Sequence, residues 1–249
     1  MKPIYTTIPV DLCEYALVSR KINYLLLFVY LKHISSGHVR FDTSLYKYWA
    51  TDLGVSEKTI RSCIKWLIKK KWITVNNKRN TLRIISYGQL KRKLRLKGKS
   101  AIIYEPDDFS GFSKFCCGVA VTKIFRLIRW MNRKRSVSKM AYTSTSRSKS
   151  SKGFQPIPLK RLAKSLKVSN STANNYKKKA KEAGFIETKR QVTTLTDIDG
   201  GKILKENLYV CKYVLGNVAG RLRSGTKFLK IVEADLIRSN MKFKKKCFF

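Results

Sequence analysis

Basic and hydroxyl-bearing side chains recur at three- and four-residue steps between residues 56 and 69. In a helix this spacing places them on one face, where Arg can donate paired hydrogen bonds to guanine, Ser and Thr can bond to base edges, and Lys can neutralise phosphate. The candidate base readers here are Ser56, Lys58, Thr59, Arg61 and Ser62, and the candidate phosphate anchors are Lys65 and Lys69. The alternative interpretation is a solvated helix face without a ligand.

A second stretch of the same pattern lies 113 residues further along the chain. In residues 50–61 (ATDLGVSEKTIR) and 163–174 (AKSLKVSNSTAN), a first helix ends on Ala and Leu, a short turn ends in Val-Ser, and the Ser can cap a second helix. Because Asn suits adenine and Arg suits guanine, the two stretches are suited to different bases. The second set of candidate base readers is Ser171, Thr172, Asn174 and Asn175, with Lys177, Lys178 and Lys181 as candidate phosphate anchors.

Apolar periodicity predicts the elements that must position these residues. In the first half it predicts helices over 22–34, 44–53 and 57–71, an extended segment over 38–41, and a hairpin formed by 72–75 and 81–85. In the second half it predicts hairpin strands over 185–195 and 207–214, around a turn at 197–201. The hairpins supply further candidate phosphate anchors: Lys78, Arg79, Lys189, Arg190 and Lys202.

This order of elements, with Leu53-Gly54-Val55-Ser56 and Leu166-Lys167-Val168-Ser169 at the two turns, resembles the winged-helix family of nucleic-acid-binding domains. The resemblance covers most of both halves. It implies a mainly α fold with small β-hairpins, α+β in class, formed by two tandem winged-helix domains. We assign the first domain to residues 1–99, the second to 100–218 with a Ser- and Lys-rich insertion at 134–153, and a basic C-terminal extension to 219–249.

The charge of the chain favours a polyanionic partner. The 249 residues include 54 Lys and Arg against 15 Asp and Glu, a formal net charge of +39, and residues 118–249 hold 32 of the basic residues but only 7 of the acids. A hydrophobic content of 43% nevertheless predicts folded domains. The longest apolar run, 22–34, is shorter than the roughly 20 residues of a membrane span, and no signal-peptide pattern is present. We expect a cytoplasmic, nucleoid-associated protein with no membrane partner.

Residue types and spacings argue against catalysis and metal binding. We find no Gly-rich phosphate loop, no spaced set of carboxylates and no paired Cys-x-x-Cys motif with nearby His. We therefore expect no enzyme activity, no cofactor and no metal. Cys63 and the pair Cys116-Cys117 are interpreted as packed, reduced thiols.

These observations indicate a protein that binds double-stranded DNA and acts by occupying a specific site, as a transcription regulator of a phage, plasmid or similar element. A replication initiator that grips origin repeats is the alternative, because tandem winged helices in one small chain are similar in layout to plasmid and phage initiators. A binder of RNA or packaged DNA without sequence preference is the third reading. Other replication or transcription proteins are further candidate partners.

Overall fold

The computed structural model describes residues 5–35, 37–96, 99–104, 107–139, 153–189, 221–224, 227–230 and 234–244. Helices alternate with short antiparallel strands throughout these residues, so the α+β class predicted from the sequence is confirmed. None of the helices in these ranges is long and apolar enough to cross a membrane.

The first half has the order of elements that its periodicity predicts. The helices over 22–34, 44–53 and 57–71, the extended segment and the hairpin are all confirmed within a few residues. The elements are β1 (Tyr5–Pro9), α1 (Val10–Val18), α2 (Ile22–His33), β2 (His38–Arg40), α3 (Leu45–Leu53), α4 (Glu57–Lys69), β3 (Ile73–Asn76), β4 (Thr81–Ile84) and α5 (Tyr87–Lys93).

The second half repeats the order of the first seven elements of the first half, with a shorter first helix and a longer second helix. Its elements are β5 (Ser100–Tyr104), α6 (Asp107–Ser110), α7 (Phe112–Lys139), β6 (Gln155–Pro156), α8 (Leu159–Leu166), α9 (Asn170–Glu182), β7 (Ile186–Lys189), β8 (Arg221–Ser224), β9 (Lys227–Lys230), β10 (Leu236–Ser239) and β11 (Phe243–Lys244).

Each half contains a three-stranded antiparallel sheet with the same connectivity. In the first the order is β2-β4-β3, and in the second it is β6-β10-β7, so the middle strand of each sheet is the one that comes last in the chain. Among the described residues β7 pairs with β10, with Ile186 opposite Ser239 and Lys189 opposite Leu236, a pairing that the sequence did not predict. Residues 197–201 and 207–214 lie outside the described residues.

Two segments predicted as an insertion and an extension take part in the regular structure. Helix α7 continues through Lys139, so residues 134–139 of the predicted insertion are helical. Within the predicted extension, β10 completes the second sheet and β11 adds to a third sheet of order β1-β5-β11. Strands β8 and β9 pair with each other in the same segment.

The third sheet and helix α1 connect the two halves. Strand β1, from the first half, pairs with β5, from the second, with Tyr5 opposite Tyr104 and Pro9 opposite Ser100. Helix α1 packs on α7 through buried Leu12, Cys13, Ala16 and Leu17. At the edge of this contact the Lys123 ammonium bonds to Glu14 and lies 3.0 Å from an Asp11 carboxylate oxygen. One continuous hydrophobic core therefore includes residues of both halves.

Aromatic rings and thiols fill the middle of this core. Phe28 makes edge-to-face contacts with Trp72 and Tyr87, at centroid distances of 5.2 and 5.8 Å. Cys63, Cys116 and Cys117 are free and buried, as the sequence predicted. Burial raises the pKa of the Cys63 and Cys117 thiols to about 11, so both are protonated at neutral pH.

The turns between α3 and α4 and between α8 and α9 have the same backbone geometry. Val55 N–H donates to the Ala50 carbonyl at 3.0 Å, and Val168 N–H donates to the Ala163 carbonyl at 3.1 Å. The residue before each Val has a left-handed backbone, with φ of 61° at Gly54 and 53° at Lys167. Only the first turn has the glycine that this conformation favours.

Adding a Cβ at position 54 and removing one at position 167 should change the stability of the protein in opposite directions. Gly54→Ala should lower the free energy of unfolding by about 1 kcal/mol, because the left-handed conformation disfavours a Cβ and no atom lies within 4 Å of the Cβ position to add a clash. Lys167→Gly should raise it by about 0.5 kcal/mol. Urea denaturation measures both changes, and Gly54→Asn is the tolerant control. Equal effects of Ala and Asn at position 54 would contradict the proposed cause.

Gly118 in α7 marks a close approach between two elements of the second half. A Cβ at this position would lie 2.8 Å from the Phe185 Cβ, which is too close for a carbon–carbon contact. Gly118→Ala should therefore destabilise the protein by about 1 to 3 kcal/mol, because the helix must shift from Phe185. Gly88→Ala in α5 is the matched control: its nearest neighbour, the Ser86 Oγ, lies 3.7 Å away, so it should be neutral or stabilising. Thermal unfolding distinguishes the two variants, and similar melting temperatures would be inconsistent with this packing.

Candidate nucleic-acid interface

Helix α4 is fixed by a cap at its start and by an apolar side along its length. The Ser56 Oγ accepts a hydrogen bond from the Thr59 N–H at 3.2 Å, as an N-cap does. Ile60, Cys63, Ile64 and Leu67 are buried against the core. The side of the helix opposite to these residues is therefore held towards solvent.

The solvent side of α4 carries the residues that the sequence assigned to base and phosphate recognition. Lys58, Arg61, Ser62, Lys65 and Lys69 are all exposed. Within the described part of the chain, Lys58, Lys65 and Lys69 have no carboxylate within salt-bridge distance. Three cations on this face are thus available to an anionic ligand.

Ser56 and Thr59, also candidate base readers, belong to the cap itself. Their hydroxyl groups lie 2.8 Å apart and hydrogen-bond to each other. Ser56 is exposed, whereas Thr59 is half-buried. These two hydroxyls stabilise the first turn of α4, so a ligand that bonds to either one competes with the cap.

Arg61 is already held by neighbouring side chains. Its guanidinium donates to the Glu57 carboxylate at 2.6 and 3.1 Å and lies 5.8 Å from the centroid of the Tyr46 ring. Both members of the ion pair are exposed, at 59% and 42% of their side-chain surface. An exposed pair of this kind contributes about 0 to 1 kcal/mol, so a guanine or phosphate can displace Glu57 at small cost.

Helix α9 repeats the geometry of α4 at the same offset of 113 residues. The Ser169 Oγ accepts from the Thr172 N–H at 3.1 Å, and the two hydroxyls lie 2.9 Å apart. Ala173 and Ala180 are buried. The exposed candidates of this helix are Ser171, Asn175, Lys178 and Lys181, while Thr172 and Asn174 are half-buried.

Lys177 differs from the other predicted phosphate anchors. Its ammonium lies 2.5 Å from an Asp235 carboxylate oxygen, and only 17% of its side chain is exposed. Asp235 immediately precedes β10 and lies 58 residues from Lys177 in the sequence, so no local signal marks the pair. Lys177 thus anchors α9 to the β10 segment, and its charge is already neutralised.

The first hairpin brings together more basic residues than the sequence assigned to it. Lys78 and Arg79 are exposed in the turn between β3 and β4. They line an open groove of about 500 Å³ together with His38 and Arg83. His38 and Arg83 face each other across β2 and β4. Alternation along β4, with buried Leu82 and Ile84 on either side of exposed Arg83, is the signal that could have identified Arg83.

Charged residues on the sheet of β6, β10 and β7 make more contacts within the protein. The Lys189 ammonium and the Arg238 guanidinium lie 4.8 and 5.2 Å from the centroid of the Phe154 ring. Arg238 also donates to Glu187 at 2.6 Å, and this bond lowers the pKa of the Glu187 carboxyl. Lys189 is exposed. Arg190 and Lys202 lie outside the described residues.

The exposed side chains of this arrangement have the chemistry to donate hydrogen bonds to anions and to base edges. Among the described residues, no group of three or more His, Cys, Asp or Glu side chains is placed to hold a metal ion. No protein-family model, curated protein or solved structure matches this chain. Function must therefore be inferred from its own residues and geometry.

The two well-defined ion pairs should differ in their contribution to stability. In double-mutant cycles, Lys177→Ala with Asp235→Ala should give a coupling energy of about 1 to 3 kcal/mol, because the pair is largely shielded from water. Arg61→Ala with Glu57→Ala, the exposed control, should give about 0 to 1 kcal/mol. Denaturation of the four single and two double variants gives both energies. A coupling energy near zero for Lys177 and Asp235 would contradict this, and Lys177 would then count as a cation that is available to a ligand.

Proposed function

We propose that this chain is a sequence-specific double-stranded DNA-binding protein whose two halves are tandem winged-helix domains, and that it acts by site occupancy as a transcription regulator of a phage, plasmid or similar element. The observation that supports this most strongly is the repeated geometry of α4 and α9. Each follows a left-handed turn, begins at a Ser cap and turns a polar face to solvent, in a chain of net charge +39.

Helix α4 reads the first part of the site in this proposal. A helix in the major groove presents its N-terminal turns to base edges, and Lys58, Arg61 and Ser62 are the exposed polar residues of those turns. Arg61, after release from Glu57, bonds to the O6 and N7 acceptors of guanine. Lys65 and Lys69 lie further along the same face and bind phosphates, with Lys78, Arg79 and Arg83 of the hairpin as additional backbone contacts.

Helix α9 reads the second part with different chemistry. Asn174 and Asn175 suit the paired donor and acceptor of adenine, and Ser171 lies on the same face. Lys178 and Lys181 are its phosphate anchors, whereas Lys177 positions the helix through Asp235. Because the two helices carry different side chains, the proposed target is a composite site with two unlike halves.

A replication initiator is the second candidate, and the connection between the halves is the observation that favours it. Strands β1 and β5 share a sheet, and α1 packs on α7, so both reading helices are carried on one core. Two reading helices that are carried on one core can bind an origin repeat together. The two roles differ in where the site lies: an initiator binds repeats beside its gene and promotes melting there, whereas a regulator binds a promoter.

Selection of bound sequences from random duplexes tests the proposed function. We expect enrichment of a bipartite site that remains preferred at high salt, and Arg61→Ala or Asn174→Ala should weaken binding by about 1 to 3 kcal/mol at particular base positions. Lys114→Ala, an exposed cation of α7 outside both reading helices, is the control for loss of charge alone. Salt-sensitive binding of all sequences alike, with no enriched site, would instead identify a condensing or RNA-binding protein.

A further inference from the structure

A cleft of about 340 Å³ lies between α7 and the segment that joins β10 to β11. It contains no residue of α4, α9 or the first hairpin, so it is separate from the interface described above. Its walls combine cationic and apolar side chains: Lys99, Phe125, Arg126, Arg129, Trp130 and Met241. Of the residues that the structure describes, those that line it include no acid.

Trp130 gives the cleft an exposed aromatic surface. It is 54% exposed, whereas Trp49 and Trp72 are 3% and 2% exposed in the core. More than half of its side chain is in contact with water, so the ring adds an accessible aromatic surface to a cationic cleft. A nucleobase stacks on an aromatic ring of this kind whatever its sequence.

Two guanidinium groups face the same cleft. Arg126 donates to the Met241 carbonyl at 3.4 Å and stacks on the Phe243 ring, with its Cζ 4.0 Å from the ring centroid. Burial and the nearby positive charge of Arg129 lower the pKa of Arg126. Because like charges are held close together here, an anion that enters the cleft relieves their repulsion.

We propose that this cleft binds one nucleotide of a single-stranded nucleic acid, with its base stacked on Trp130 and its phosphate held by Arg126, Arg129 and Lys99. A duplex cannot supply this ligand, because the faces of its bases are covered by their neighbours. The volume lies at the lower end of the range for small-molecule sites, which matches a single nucleotide. This site adds recognition of unpaired bases to the duplex recognition proposed for α4 and α9.

Tryptophan fluorescence and the anisotropy of labelled dT8 test the proposal on the full chain at moderate salt. Binding of dT8 should quench the Trp130 emission, and Trp130→Phe should abolish this quenching while it retains binding. Trp130→Ala should weaken binding about 5-fold to 100-fold, since stacking of one base contributes about 1 to 3 kcal/mol. Arg129→Ala should also weaken it and reduce its dependence on salt.

Leu127→Ala and Lys114→Ala are the matched controls, because both residues are exposed on α7 and neither lines the cleft. Thymidine monophosphate, used as competitor, separates the two sources of a nucleotide: weak competition identifies a polynucleotide ligand, and strong competition a free mononucleotide at the same site. Affinity for a selected duplex, measured on the same variants, should not change. Unaltered dT8 binding in Trp130→Ala and Arg129→Ala would overturn the proposal and leave duplex recognition intact.

Discussion

The packing of α1 on α7, extended by the pairing of β1 with β5, is the contact on which the rest of this structure depends. It joins two halves that each carry a large excess of positive charge and therefore repel one another. Leu12, Cys13, Ala16 and Leu17 supply apolar burial at this contact, and Lys123 bonds to two carboxylates at its edge. The Tyr176 hydroxyl, which reaches the Leu17 carbonyl at 3.5 Å, brings α9 to the same place.

The basic residues that the structure describes include two groups: those that bond to a carboxylate within the protein and those that are exposed without one. Lys123, Lys177 and Arg238 each bond to a carboxylate, and their positive charges stabilise the folded protein. Lys58, Lys65 and Lys69 lie on a face of α4 whose opposite side is fixed in the core. Net charge favours a polyanionic partner, but only the positions of the carboxylates show which of the described cations have no acidic neighbour.

The sequence could predict the elements that are determined by residues close together in the chain, such as caps, turns and apolar periodicity. Ser56 and Ser169 act as caps as predicted, and the hairpin of β3 and β4 forms where the Asn-rich turn indicates. The pairing of β7 with β10 was not predicted, because residues 190–235 separate the two strands. For the same reason the sequence did not reveal the pairing of Lys177 with Asp235 or the cleft beside Trp130, since each depends on residues far apart in the chain.

The central claim is that α4 and α9 both enter the major groove of one DNA duplex. Interference by 7-deazaguanine and 7-deazaadenine, which lack the purine N7 acceptor in that groove, tests it most directly on a duplex that contains the selected site. The account predicts two separate clusters of interfering positions, one at guanines that is lost in Arg61→Ala and one at adenines that is lost in Asn175→Ala. A single cluster, or interference that neither variant changes, would contradict it.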